Sequence, residues 1–493
     1  MRRKMQAIIL GILLSLGLVL TGQIDSYAAE TVTIPTDSSV RDCLETSSDA
    51  NMYKIVISKT GYTTISFTEE EPTADCGWGW DFTLYDANGN TLREYTGMKN
   101  GFTTAPLNYK AGTVLFLEVE ANYTGSSPAG LYYKIGVTGV ANGAWEQENN
   151  DTLAAATTLL SNTKRIGTLI SSSDADYYAY TVDKKGYFTI DFTRDDPFAD
   201  AGWGWDIDIY DTAGNLLDSY TGIETNFSTQ KFNYKVGTKI YIKITANYSG
   251  SAPRDQIYYL QSTATAKSNW EIETRKTTSD SWKSRISGAA KLTGTKRYGS
   301  LWTSTDNDVY KLSVSKTGNV TLKFNPNNTE DNVGWGYDIF LYKKNGEKAK
   351  VFEYIKTATN QTFYAKKGTY YVVICASYTG SAPSKYDAYS IAATAKASSV
   401  PSMASKKVSY TTKRATVKWK KAKKVDGYEL QVCKNKKFKK KYTSYFETEK
   451  TSYVLPYSVG RGTYYVRVRA YREAITGEKV YGKYTKVKKI KKK

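Results

Sequence analysis

The chain has 493 residues, among them 42 Tyr, 15 Phe and 10 Trp but only 5 Met and 4 Cys, and a net charge of +20. It contains no His, which excludes Ser-His-Asp triads, Cys-His pairs and imidazole-bound metals, and leaves carboxylate pairs and Ser-Lys arrangements as the open hydrolytic chemistries. The length implies several domains, and the abundance of Tyr, Thr and Val with frequent Gly suits pleated, half-buried strands better than helices.

At the N-terminus, Met1, Arg2, Arg3 and Lys4 precede an apolar run over residues 7–20 and the small-residue stretch Ser26-Tyr27-Ala28. This is the pattern of a signal peptide over residues 1–28, cleaved after Ala28. The run falls short of the roughly 20 apolar residues a membrane span needs, and no later stretch approaches that length. The sequence therefore predicts an exported chain with no membrane span, secreted and extracellular or loosely associated with the cell envelope. No Cys follows the apolar run where a lipid anchor would attach, and the chain closes on Lys491-Lys492-Lys493, so no covalent anchor is expected.

From residue 31 onward one unit occurs three times, over residues 31–140, 145–266 and 284–396. Each copy opens with an acidic element ending in Tyr: Asp49, Asn51 and Tyr53; Asp174, Asp176 and Tyr178; Asp306, Asp308 and Tyr310. At identical spacing follow Gly77-Trp78-Gly79-Trp80-Asp81, Gly202-Trp203-Gly204-Trp205-Asp206 and Gly334-Trp335-Gly336-Tyr337-Asp338. A Gly-Thr turn then leads into an alternating strand that ends on Asn122-Tyr123-Thr124, Asn247-Tyr248-Ser249 or Ser377-Tyr378-Thr379, and a Tyr-rich strand closes the unit. A period of about 110 to 130 residues marks whole domains rather than solenoid turns, which repeat at roughly 20 to 50. Short strands separated by turn signals predict an all-β chain of tandem sandwiches. The linkers carry Trp145-Glu146 and Trp270-Glu271 and are expected to pack onto the unit that follows.

These units resemble the bacterial pre-peptidase C-terminal domain, on the Asp-x-Asp-x-Tyr strand, the strand and turn from Asp81 through Tyr85-Asp86 to Gly89-Asn90, and the strand from Gly112 to Val119. The resemblance implies three jelly-roll-like β-sandwiches without catalysis, of a kind that in some cases binds extracellular substrates such as collagen. No peptidase domain precedes them here. Residues 401–493 resemble a fibronectin type III domain: Val417-Lys418-Trp419 matches the strand with the core Trp, residues 427–432 the next strand, and Tyr464-Tyr465-Val466 the late strand whose first Tyr makes the tyrosine corner. That match implies a spacer or binding module.

Within the repeated block, Trp78, Trp80, Phe82 and Leu84 share one alternation phase, so Trp80, Trp205 and Tyr337 are expected to point into the sandwich. Trp78, Trp203 and Trp335, nearer the loop and between glycines, are candidate ligand-binding residues, together with Tyr123, Tyr248 and Tyr378 in Gly- and Ser-rich loops. Aromatic faces stack on sugar rings and peptide planes, and a neighbouring carboxylate can accept hydrogen bonds. The pairs Asp174 with Asp176 and Asp306 with Asp308 offer hard oxygen donors, but Asn51 breaks the pattern in the first unit and no calcium loop surrounds them. They are read as turn caps, with no metal or other cofactor expected. Cys43 and Cys76 are replaced together in the later units, by Thr168 with Ala201 and Ser300 with Val333, which suggests a disulfide.

From Pro401 onward lie 28 of the 68 basic residues but only 6 of the 48 acidic ones. Lys434, Lys436, Lys437, Lys439, Lys440 and Lys441 are candidate contacts for an anionic envelope polymer; the alternative is a charged sheet edge that prevents aggregation. The sequence thus predicts a non-enzymatic binding or adhesion protein whose partners are extracellular polysaccharide or matrix protein and anionic cell-wall polymer, not nucleic acid. The alternatives are an accessory component of an extracellular hydrolase system or a carboxylate-based glycosidase.

Overall fold

Strand Gly61–Glu69 buries Gly61, Thr63, Ile65 and Phe67 and turns the residues between them outward. This period of two is how a half-buried strand places one face on a core. A computed structural model describes residues 31–125, 128–171, 173–248, 253, 255–274, 276–326, 334–378 and 388–493. The expected signal peptide and Val333 lie outside them. The chain is all-β and divides into two units between Ala266 and Lys267.

In the first unit, residues 31–141 form nine strands: β1 (Val32–Pro35), β2 (Ser38–Cys43), β3 (Ala50–Val56), β4 (Gly61–Glu69), β5 (Trp80–Tyr85), β6 (Thr91–Met98), β7 (Phe102–Thr103), β8 (Val114–Ala121) and β9 (Tyr132–Ala141). They make two sheets, in the orders β1-β3-β8-β5-β6 and β2-β9-β4-β7. All neighbours are antiparallel except β1 and β3, where Val32 lies opposite Tyr53 in parallel register. Inner faces meet through Phe67, Trp80, Phe82 and Tyr133, with the Phe67 and Phe82 rings 4.6 Å apart.

The second repeat, in the same unit, and the third, in the other, have the same two sheets in the same order and the same parallel opening strand. The Tyr of each acidic element meets the Tyr of the closing strand in the core, hydroxyl to hydroxyl: Tyr53 with Tyr133 at 2.7 Å, Tyr178 with Tyr258 at 2.8 Å, Tyr310 with Tyr389 at 2.7 Å. Buried hydroxyls need such partners, which explains why both tyrosines recur.

The C-terminal module pairs a sheet of Val408–Thr411, Thr416–Trp419 and Ser452–Val454 with one built on Gly427–Cys433 and Gly462–Glu473. Trp419, Leu430, Val466 and Val468 fill its core. The hydroxyl that braces its backbone is that of Tyr428, which accepts from Ala422 N at 2.8 Å; Tyr464, expected in that role, packs in the core. Within the second unit this module is fastened to the third repeat, since Tyr364 is buried in its core cluster and Arg472 lies 4.0 Å over the Tyr364 ring.

Candidate functional site

Gly77 and Gly79 both have positive φ, 60° and 82°, so the chain turns sharply on either side of Trp78. A Cβ on Gly79 would lie 2.5 Å from the Met98 carbonyl oxygen, which leaves Gly the residue that fits. The turn throws Trp78 outward while Trp80, two residues on, is wholly buried. The same holds in each repeat: Trp78, Trp203 and Trp335 are 58, 60 and 52 % exposed, whereas Trp80, Trp205 and Tyr337 have no exposed surface.

The second loop is tied to the first. Asn122 donates through its backbone to Gly79 O at 3.0 Å and through its side chain to Asp81 at 2.7 Å, and Asp81 also accepts from Gly97 N at 2.8 Å. Asn247 and Asp206 repeat this arrangement at 2.8 Å, and Ser377 and Asp338 at 2.5 Å. The carboxylate read as a ligand acceptor is thus occupied in bracing two loops. The brace ties the loops that carry Tyr123, Tyr248 and Tyr378, each 59 % exposed, to the loops that carry the exposed Trp. Trp203 and Tyr248 meet edge to face at 6.4 Å, and Trp335 and Tyr378 at 6.3 Å. Lys99 and Lys356 lie 5.7 and 5.9 Å from the Trp78 and Trp335 rings. In the third repeat Tyr354 adds a further exposed ring, 6.1 Å from Trp335.

The linker between the first two repeats builds a different site. Trp145 is buried against Tyr62, 5.1 Å between centroids, and Glu146 N bonds Ile166 O at 2.8 Å, so isolated bridges fasten the segment at the seam, Trp145 to Ile166 of the second repeat and Glu148 to Tyr109 of the first. This brings Glu146 and Glu148 together with Asp174 and Asp176 of the second repeat, while Asn108 of the first repeat donates to Glu146. Carboxylate oxygens of Glu146, Glu148 and Asp176 lie within 4.8 Å of one another, as do those of Glu148, Asp151 and Asp174. Burial, and then the neighbouring acids, push Glu146, Glu148 and Asp176 well above the usual carboxylate range; burial raises Asp174 to about 7. None of these four acids lies within 4 Å of a Lys or Arg nitrogen among the described residues.

Asp174 caps a turn by accepting from Ile170 N, as Asp306 does from Trp302 N at 2.8 Å, so the turn-capping reading describes part of their role. It does not account for the orphaned oxygens. Glu148 Oε1, Asp176 Oδ1, Asn150 Oδ1 and Asn108 Oδ1 are all buried without a donor. Convergent hard oxygen atoms lacking both hydrogen-bond donors and counter-charges fit a divalent cation of the calcium class. The third repeat has a related group, Glu271, Glu273 and Asp308, but Lys276 stands where the second has Asp151 and directs its ammonium to Ser284 O and Ser287 O. The Trp-Glu-x-Glu stretch does not recur ahead of the first repeat, and Asn51 there donates to Tyr133 at 2.8 Å.

All four cysteines are free thiols, which corrects the expected disulfide. Cys43 sits at the end of β2 beside Asp42 and Glu45, whereas Cys76 packs into the sandwich core near Glu69, and the charged groups around the two are different.

All six candidate lysines of the last module are exposed. They occupy the turn between Gly427–Cys433 and Thr443–Thr448 rather than the outer strand itself, which carries Ser444, Tyr445 and Glu447. Edge protection therefore does not explain them. The turn is built, not loose: Lys437 N bonds the Asn435 side chain at 2.8 Å, and Phe438 is buried in its middle.

No family model and no curated protein matches the chain. Among solved structures, the pre-peptidase C-terminal domain of a collagenase from Bacillus anthracis is 18 % identical, covering 23 % of this chain and all of that one, with a TM-score of 0.19. A two-domain fibronectin type III segment of chicken tenascin is 18 % identical over 38 % of this chain and 99 % of its own, with a TM-score of 0.17. Three fibronectin domains of chicken CNTN1 are 13 % identical over 60 % of this chain and 91 % of theirs, with a TM-score of 0.19.

Proposed function

We propose that this chain is a non-enzymatic binding protein of the cell exterior that grips an extended polysaccharide or matrix polymer through three aromatic loop pairs, while its basic C-terminal module associates with anionic envelope polymer. One observation carries the reading: an exposed Trp and an exposed Tyr stand on loops that an Asp braces together in all three repeats, and in the second and third the two rings meet. A purely structural motif has no use for two large rings in solvent, and patches of this kind mark binding sites. The seam acids Glu146, Glu148, Asp174 and Asp176 hold calcium and stiffen the link between the first two repeats. A glycosidase reading is disfavoured because these acids are buried, where a sugar cannot reach them.

Three weak sites on one chain raise avidity by about 10² to 10⁴ over one. Replacing Tyr123, Tyr248 or Tyr378 singly with Ala should weaken retention on immobilised polysaccharide, wall or collagen fractions modestly, and replacing all three should abolish it with the melting temperature nearly unchanged. Normal retention by the triple variant would remove the proposed site.

A further inference from the structure

Arg467 lies on strand Gly462–Glu473, opposite Gln431 in the sheet. Its guanidinium is stacked between two rings, 4.1 Å from the centroid of Phe438 and 3.9 Å from that of Tyr484. Its Nε donates to Gln431 Oε1 at 2.8 Å. The next arginine on the same face, Arg469, is neutralised, bonding both oxygens of Glu429 at 2.8 and 3.0 Å. The rest of Glu429 is engaged by Gln431 at 2.9 Å and Tyr484 at 3.0 Å. Among the described residues no carboxylate lies within 4 Å of Arg467, which is only half-buried and keeps the outer edge of its fork open to solvent.

Phe438 is also the anchor of the lysine turn. With its backbone at φ 50°, it buries its ring on Arg467 and holds Lys437 and Lys439 on either side. The exposed lysines are thereby arrayed around one rigid planar donor whose charge the protein does not compensate. Lys ammonium groups attract from any direction, whereas a guanidinium held flat between rings presents paired N–H groups in the spacing of an oxyanion. A charge needed for solubility alone would not be immobilised in this way.

We propose that Arg467 is the specific oxyanion-binding residue of the C-terminal module, taking one phosphate or carboxylate group of a repeating anionic polymer in its fork while Lys434, Lys436, Lys437, Lys439, Lys440 and Lys441 hold neighbouring groups electrostatically. The inference rests on the reading of this module as the one that associates with anionic polymer, and adds to it a fixed contact that diffuse charge does not provide. Phosphate and carboxylate share the fork geometry, so the two sources are separated by probe.

The test measures binding of the full chain to inorganic polyphosphate and to polygalacturonate across a salt series. Arg467→Lys keeps the charge and loses the fork. It should weaken binding to the preferred probe about tenfold at about 0.15 M salt, the worth of one charge-assisted hydrogen bond, without changing the salt slope. Changing the six lysines to Gln should flatten that slope instead. Equal binding by folded Arg467→Lys and the parent overturns the proposal, and failure of the parent to bind either polymer overturns the reading beneath it. Should the Lys variant unfold, arginine-selective dicarbonyl labelling of the parent decides. Bound polymer should protect Arg467 at least fivefold, as for a group removed from solvent, and unchanged labelling refutes the site.

Discussion

Trp78 and Trp80 differ by two positions and share an alternation phase, yet one is 58 % exposed and the other wholly buried. Deleting each ring therefore has opposite consequences. Trp80→Ala should cost about 3 to 5 kcal/mol, because it opens a cavity among Phe67, Phe82 and Tyr133, whereas Trp78→Ala should stay within about 0.5 kcal/mol. Calorimetry of the first unit distinguishes the two, and destabilisation by Trp78→Ala beyond that limit would make the exposed ring structural. Asp81→Ala removes the brace to Gly97 and Asn122; it should lower stability by about 1 to 3 kcal/mol and impair polymer binding by a repeat whose Trp and Tyr are both intact. The inward and outward aromatics were legible from alternation and flanking glycines. The work of Asp81 was not, because its partners lie 16 and 41 residues away and only the folded loops bring them near.

At the scale of elements, the bridged linker is the least legible feature and has the sharpest chemical consequence. Glu146 and Glu148 look like ordinary solvated acids in sequence; they acquire meaning only when the linker docks beside Asp174 and Asp176 and below Asn108. A signal was present in the recurrence of Trp-Glu-x-Glu at Trp145 and Trp270 and its absence before the first repeat. Titration calorimetry should show calcium binding that Glu148→Gln or Asp176→Asn weakens strongly. In chelator, the folded state holds the Asp174 proton far more tightly than the unfolded chain does, since its carboxyl moves from 3.8 to about 7. Stability of the first unit must then fall as pH rises through that window, and calcium should remove most of the fall. A chelated protein that is equally stable at both ends, with no calcium heat, would show that the acids bind no ion.

For the whole molecule, sequence patterning reached the architecture because each sandwich repeats its own signals and the C-terminal charge is confined to one stretch. It could not reach the division after Ala266, which depends on which modules pack together, as Tyr364 packs into the core of the last one. The parallel pairing of β1 with β3 has a mechanical consequence. The turn at Thr36-Asp37 reverses the chain into β2, and β9 runs antiparallel to β2, so β1 and β9 point the same way. Tension enters the repeat at the start of β1 and leaves at the end of β9, drawing the two strands lengthwise in opposite directions. Ladder hydrogen bonds are then loaded in shear, all at once, instead of being unzipped one by one. Single-molecule stretching should accordingly show three tall rupture events of similar height, one for each repeat, and a sandwich that peels open gradually at low force would contradict this loading geometry.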